Sequence, residues 1–326
     1  MQNKKKQTFK KNFSEKKGEF NFVWLFALIA GSAILLLAIY GATKGVTQEN
    51  YGHSVELAKA FSVVLGSSGA GASDLNKIPS IKLRNKIRLQ NTCSDVGFGE
   101  NSLSVGVRSA NDGAWQKQGG EIDITSQYIF SSNQESKQFE VFSMPFKFPF
   151  KVADVIFLTS SSESFCFKNA PKEIERVIRS FQLPNWKLKD CSGNEKTICF
   201  QNSRCDINIY GTCTIDCKSK FDEGYVEKDG ERLYFIGGLM YGAILSEKEL
   251  YDCNINRLLY RAAVLSDVLS KKASLMDSRG CPTSIQGELS SWSNNLKEMK
   301  PSDLNYKNIL AKNIEKIAKG GRCKVW

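Results

Sequence analysis

From Phe20 to Ala42 the chain carries no charged side chain, and only Asn21 and Ser32 are strongly polar. At about 1.5 Å of rise per residue a helix of this length extends about 33 Å, enough to cross a hydrocarbon core of roughly 30 Å. Lipid offers the backbone no hydrogen-bond partner, so a lone segment there must be helical. Trp24 and Tyr40 stand toward opposite ends, where amphipathic rings favour the interfaces. Residues 20–43 are therefore expected to form a transmembrane helix.

The flanks set its direction. Seven lysines precede it (Lys4, Lys5, Lys6, Lys10, Lys11, Lys16 and Lys17), against Glu15 and Glu19, whereas only Lys44 and Lys59 are basic between the span and Asp74. Lysine excess marks the cytoplasmic side, so residues 1–19 read as a basic cytoplasmic stub and the remaining chain as exported. A cleaved secretory signal has a shorter apolar core and a small-residue site; Ala38 to Ala42 offers no clean A-x-A, which favours an uncleaved anchor. The stub holds five of the eleven net positive charges. The exported part is thus only mildly basic, shows no basic run interleaved with aromatics, and is not expected to bind nucleic acid. The lysine-rich stub sets topology and touches anionic lipid.

All ten cysteines follow the span: Cys93, Cys166, Cys191, Cys199, Cys205, Cys213, Cys217, Cys253, Cys281 and Cys323. An even number confined to the exported part reads as a disulfide framework formed in an oxidising compartment, with the pairing left open. Five of them crowd Cys191 to Cys217, too short a region to bury much core without covalent links. A zinc site from Cys199, Cys205, Cys213 and Cys217 is the competing reading. Their spacing lacks C-x2-C knuckles, and the one histidine, His53, is remote from them.

Three zones follow the span, for an α+β fold. Residues 44–77 read as a helical stalk and a Gly/Ser hinge: Leu57, Phe61, Val64 and Leu65 share one helical face, and the run Gly66 to Ser73 ends it. That run is no phosphate loop, because Ala72 stands where the lysine is required. Residues 78–244 are strand-rich. Ile81, Leu83, Ile87 and Leu89 alternate with polar residues, as do Leu103, Val105 and Val107. Asn111 to Gly113 and Lys228 to Gly230 are turn signals, the second joining two strands through Asp-Gly. A helix opens at Pro171 and ends before Pro184. Upstream, Phe146, Phe148 and Phe150 form a row that core burial accounts for better than a binding edge, and Pro145 and Pro149 confine the segment to an edge or connection. Residues 245–326 read as helices packed on this sheet region. Ser246 to Glu249 resembles a capping box. Leu250, Leu258, Leu259, Ala262, Leu265 and Leu269 follow on one helix, then Ile285, Leu289, Trp292 and Leu296 on a second. Ser302 is a plausible cap for a third, which carries Leu304, Ile309, Leu310, Ile314 and Ile317. At least one of Cys253, Cys281 and Cys323 is expected to bridge helices or return to the sheet.

With a single histidine beside the membrane, no Ser/His/Asp or Cys/His arrangement can be built in the exported part. HExxH, GxSxG and dinucleotide fingerprints are missing. Asp252, Asp267 and Asp277 read as helix-surface residues. No catalytic residue, metal site or cofactor is expected; a surface hydrolase using carboxylates is the alternative that would need a concave site. The expected partners are the lipid bilayer and a protein at the cell surface, with the oligomeric state open.

The stretch from Lys16 to Phe20, two lysines and Gly18 followed by Glu19 and a long apolar helix, resembles the processing region of type IV pilins and their archaeal relatives. That resemblance implies cleavage after Gly18, Glu19 as the first mature residue, and a helix that packs filaments. The glutamate this family usually carries at the fifth mature position is replaced here by Val23. Taken whole, with a cysteine-containing strand-rich head, the segment Phe148 to Asp154 and a helical tail, the chain resembles uncharacterised single-pass archaeal cell-envelope proteins. The likeness implies the architecture and no activity. A membrane-anchored, disulfide-stabilised exported protein with a binding or structural role is the function expected, and a pilin-like filament or accessory subunit the alternative.

Overall fold

The computed structural model describes the backbone of residues 22–69, 80–107, 115, 121–201, 204–212 and 219–326. The chain divides into two compact units, Met1–Glu49 and Asn50–Trp326, and helix α1 (Phe22–Gly69) contributes to both. In the first unit the described side chains of α1 are Phe26 and residues 29–40. Among the described residues no helix is long and apolar enough to cross a membrane. The expected transmembrane span is thus not found within them. What is described of that segment is helical and apolar, with Phe26 70 %, Ile34 67 % and Leu37 68 % exposed.

The second unit is α+β. One sheet runs β3-β2-β1-β5-β6-β4, with β1 (Ser80–Ser94), β2 (Glu100–Val107), β3 (Ile122–Thr125), β4 (Tyr128–Phe130), β5 (Gln134–Lys147) and β6 (Lys151–Ser160). Its neighbours are antiparallel except β4 and β6. Period-two alternation sends its side chains to two cores. Ile129, Phe139, Val141, Ile156 and Leu158 face one; Tyr128, Phe130, Phe142, Val155 and Phe157 face the other.

The first core is closed by α1 itself. Ala58, Phe61 and Leu65 are fully buried against the sheet, Leu57 and Val64 pack beside them, and the Phe61 ring meets Phe139 edge-on at 5.4 Å. The apolar face read from the sequence therefore exists, but residues 56–66 lie on the sheet and are not a free stalk. The helix also continues to Gly69, past the start of the expected Gly/Ser hinge, whose later part lies outside the described residues.

The second core lies between the other face of this sheet, a second sheet and the helices. The second sheet runs β12-β11-β10-β9-β7-β8, built from β7 (Phe165–Lys168), β8 (Trp186–Lys187), β9 (Lys196–Phe200), β10 (Ile207–Gly211), β11 (Glu223–Lys228) and β12 (Glu231–Ile236). β7, β8, β9 and β10 are parallel neighbours, whereas β10, β11 and β12 are antiparallel. The Asp-Gly hairpin is present: Lys228 pairs with Glu231, and Asp229 and Gly230 take φ of 53° and 78°. The turn expected at Asn111 to Gly113 lies outside the described residues.

Helix α2 (Lys172–Phe181) starts at Pro171 and stops at a left-handed Gln182. Pro145 lies in β5 beyond the last residue paired with β1, so only β6 accompanies it and its missing N–H disturbs no ladder bond on that side. Phe146, Phe148 and Phe150 are all buried, Phe148 lying edge-on to Trp292 at 5.0 Å.

Strand structure stops at Ile236, and a short helix α3 (Leu239–Leu245), not anticipated from the sequence, follows. All seven of its residues are buried, so no polar face gave it a helical period. The expected capping box is absent: Ser246 ends α3, donating its backbone N–H to Gly242, while Glu247 precedes α4 (Lys248–Ser278) without a side-chain cap. α5 (Gln286–Glu298) buries Leu289, Trp292 and Leu296 as expected. α6 (Leu304–Gly320) follows a 3-10 turn at Pro301–Asp303, with Asp303 and not Ser302 at its cap. Leu304 and Ile314 are buried, but Leu310 and Ile317 are exposed.

Candidate binding site

Among the described residues eight of the predicted cysteines come together in four bridges: Cys93–Cys253, Cys166–Cys191, Cys199–Cys205 and Cys281–Cys323. Cys93–Cys253 returns from α4 to the sheet, and Cys281–Cys323 ties the segment after α4 to the segment after α6. Cys199 is thus a disulfide partner and not a zinc ligand. Cys213 and Cys217, like Gly18 and Glu19, lie outside the described residues. Among the described residues no group of three His, Cys, Asp or Glu is placed to hold a metal ion.

The bridge at Cys253 is one of four attachments made by a single turn of α4. Asn256 donates to Asp95 at 2.8 Å, and Asn254 donates to the carbonyl of Ile129 at 3.0 Å. Arg257 is completely buried, and each of its five N–H donors has an acceptor. Nε bonds the Phe98 carbonyl (3.0 Å), Nη1 bonds Oδ1 of Asn101 (2.6 Å) and of Asn254 (2.9 Å), and Nη2 bonds the carbonyls of Gly99 (3.2 Å) and Gln127 (2.8 Å). None of these acceptors is a carboxylate. The guanidinium also lies 4.8 Å from the Tyr128 ring centroid. Gly99 makes the approach possible: with φ +56°, a Cβ there would stand 2.0 Å from the Ser94 carbonyl and 3.0 Å from the Arg257 stem. Sequence reasoning missed this node. Its one signal was a pair of polar residues, Asn254 and Arg257, on a helix face that otherwise continues from Tyr251 to Leu258.

A polar cavity of about 300 Å³ opens where β7, β9 and β10 begin and β11 ends. Lys228 reaches into it and donates to the carbonyls of Ile244 (2.9 Å) and Ser246 (2.5 Å), which close α3. The buried Ser246 hydroxyl in the same wall has no hydrogen-bond partner. Two of the cavity's carboxylates are already engaged: Glu163 pairs with Lys196, and Asp206 accepts from the Thr197 backbone N–H (2.7 Å) and hydroxyl (2.8 Å). The Thr197 donors hold the Asp206 carboxyl below its usual pKa, the backbone N–H most strongly. A carboxyl held ionised this way is unsuited to donate a proton as a general acid. Asp252, Asp267 and Asp277 serve structure, accepting from Lys248, Lys297 and the Thr283 backbone.

Compared with protein-family models, curated proteins and solved structures, the chain matches none.

Burial brings the Lys228 ammonium down from 10.5 to about 8. Between those two values the unfolded chain binds more protons at this position than the folded chain, so stability should rise as pH climbs through the window. The cost of the buried charge is present in full below about pH 8. Denaturant unfolding from pH 7.5 to 10.5 should therefore show a climb in the wild type that Lys228→Met lacks. Parallel curves for the two proteins would remove Lys228 as the titrating group.

Proposed function

We propose that the protein is a membrane-anchored, exported binding protein whose disulfide-locked α+β head is held at the cell envelope. The observation that carries this reading is the exposed stretch of α1 at residues 31–40. Residues 34–37, Ile-Leu-Leu-Leu, are exposed at 67, 62, 66 and 68 % on successive positions around the helix. In water a helix that is apolar all round is costly, whereas in lipid its backbone is self-satisfied and its side chains are at home. The four bridges support an oxidising compartment for the head. Binding is favoured over catalysis because two of the polar cavity's carboxylates, Glu163 and Asp206, and its Lys228 amine are engaged by internal partners. The lysine excess before the helix supports a cytoplasmic N-terminus.

Alkaline-carbonate washing of membranes should leave the full chain in the pellet, and a membrane-impermeant amine reagent applied to intact cells should modify lysines of the head. Release by carbonate, or modification only after lysis, would overturn the reading. The intact mass of the purified native chain reports separately on the pilin-like alternative. A mass beginning at Glu19 would replace the plain anchor with a processed subunit.

A further inference from the structure

A second concavity, of about 530 Å³, lies between α4, α6 and the turn from β5 to β6. Its size is that of a small-molecule site. Positions 265, 268 and 269 of α4 share one face, so Leu265, Val268 and Leu269 form one wall. Phe150 and Pro149 supply the floor, Ala318 of α6 the facing wall, and Trp326 the end, its ring edge-on to Phe150 at 5.6 Å. Val268 is 56 % exposed and Trp326 39 %, so this lining is open to ligand. The Trp326 wall is fixed in advance: Cys281–Cys323 anchors the segment before it, and Lys272 donates to the Val325 carbonyl at 2.7 Å.

The rim has the opposite character. Four lysines, Lys147, Lys151, Lys319 and Lys324, surround the apolar floor with one side-chain carboxylate, Glu315. Glu315 is taken by Lys319 at 2.6 Å, and Lys151 is taken by Asp154 at 2.7 Å. Among the described residues Lys147 and Lys324 have no carboxylate within ion-pair distance. An apolar slot with two unmatched ammonium groups at its mouth is complementary to a molecule with an apolar body and one anionic end.

We propose that this groove binds a free single-chain fatty carboxylate, its acyl chain along Val268, Leu269 and Trp326 and its carboxylate between Lys147 and Lys324. This names a ligand for the binding role proposed above and rests on that role, not on the membrane tether. A long apolar chain with a carboxylate is favoured over a bilayer contact because the surface is recessed and its lysines ring a cavity, where a membrane-docking face would be convex.

The test uses the full chain held in phosphatidylcholine nanodiscs and a photoreactive decanoate as probe. Cross-linked peptides should map to residues 147–151, 265–269 and 318–326. Decanoate should compete, and decanol, equal in length and uncharged, should compete at least tenfold more weakly. Lys147→Gln with Lys324→Gln should weaken labelling at least tenfold while leaving the unfolding midpoint unchanged, since among the described residues neither lysine has an ion-pair partner to lose. Labelling confined to the apolar helix, equal competition by decanol, or full labelling of the double variant would each overturn the proposal. So would a double variant whose only change is weaker adherence to phosphatidylglycerol vesicles, an outcome that assigns the face to a bilayer. Carbonate extraction and impermeant labelling read the tether independently, so failure of one reading is not failure of the other.

Discussion

Arg257→Met should cost about 3 to 5 kcal/mol of stability, read as a lowered midpoint in denaturant unfolding. Replacing a buried charge by an apolar side chain of similar length is often harmless, but that holds when its partners are replaced too. Here three of the five acceptors are backbone carbonyls, of Phe98, Gly99 and Gln127, and no side-chain substitution can remove them. They would remain part-buried without this donor, at about 1 to 3 kcal/mol for each that water fails to reach. Arg257→Lys should fall between the wild type and the Met variant, because an ammonium keeps the charge but cannot span the fork geometry of the five acceptors. A Met variant within about 1 kcal/mol of the wild type would show that the acceptors find water and that the node is dispensable.

Comparable in size is the loss of Cys93–Cys253, whose partners are 160 residues apart. In the chain-entropy description, a loop of that length left unclosed in the unfolded state is worth about 5 kcal/mol, the upper end of the usual range. The paired change Cys93→Ser with Cys253→Ser, unfolded without reductant so that the other bridges persist, should approach that figure. A loss below about 1 kcal/mol would mean that the unfolded chain is already constrained by its remaining links. Because Cys253 and Arg257 lie one turn apart and hold adjacent segments, the end of β1 at Cys93 and the turn that follows it at Phe98 and Gly99, combining the two changes should give a loss that departs from their sum. The departure measures how far each attachment depends on the other.

Much of the head was legible in the sequence, because its strands have one or both faces buried and their composition says so. Ile87, Leu89, Leu103 and Val105 alternated as read and are all in the core. The Asp229-Gly230 turn was visible because its conformation needs those residue types. What sequence pattern could not carry was partnership across distance. Leu57, Phe61 and Leu65 announced an apolar helical face, but nothing local said that the face would be covered by the sheet and not left as a stalk. α3 was hidden for the reverse reason: Leu239 to Leu245 is buried on every side, which erases periodicity. Ser246 and Glu249 mimicked a cap because spacing is all such a motif offers, and the competing claim of α3 on Ser246 is tertiary. The candidate sites followed the same division. The cysteines were named but not their pairing, and Lys228 and the lysines of the apolar groove carry no spacing signature at all.

The sheet that separates the two cores has a consequence for how the chain avoids misregistration. On β6, Ile156 and Leu158 occupy the α1 side while Val155 and Phe157 occupy the other, where Phe130 and Phe142 also gather. A slip by one position would leave the strand equally greasy, so polarity could not reject it. It would, however, press the Phe157 ring into the core that α1 closes and leave an isoleucine among the aromatics of the other core. Molecular volume, not water, proofreads this strand.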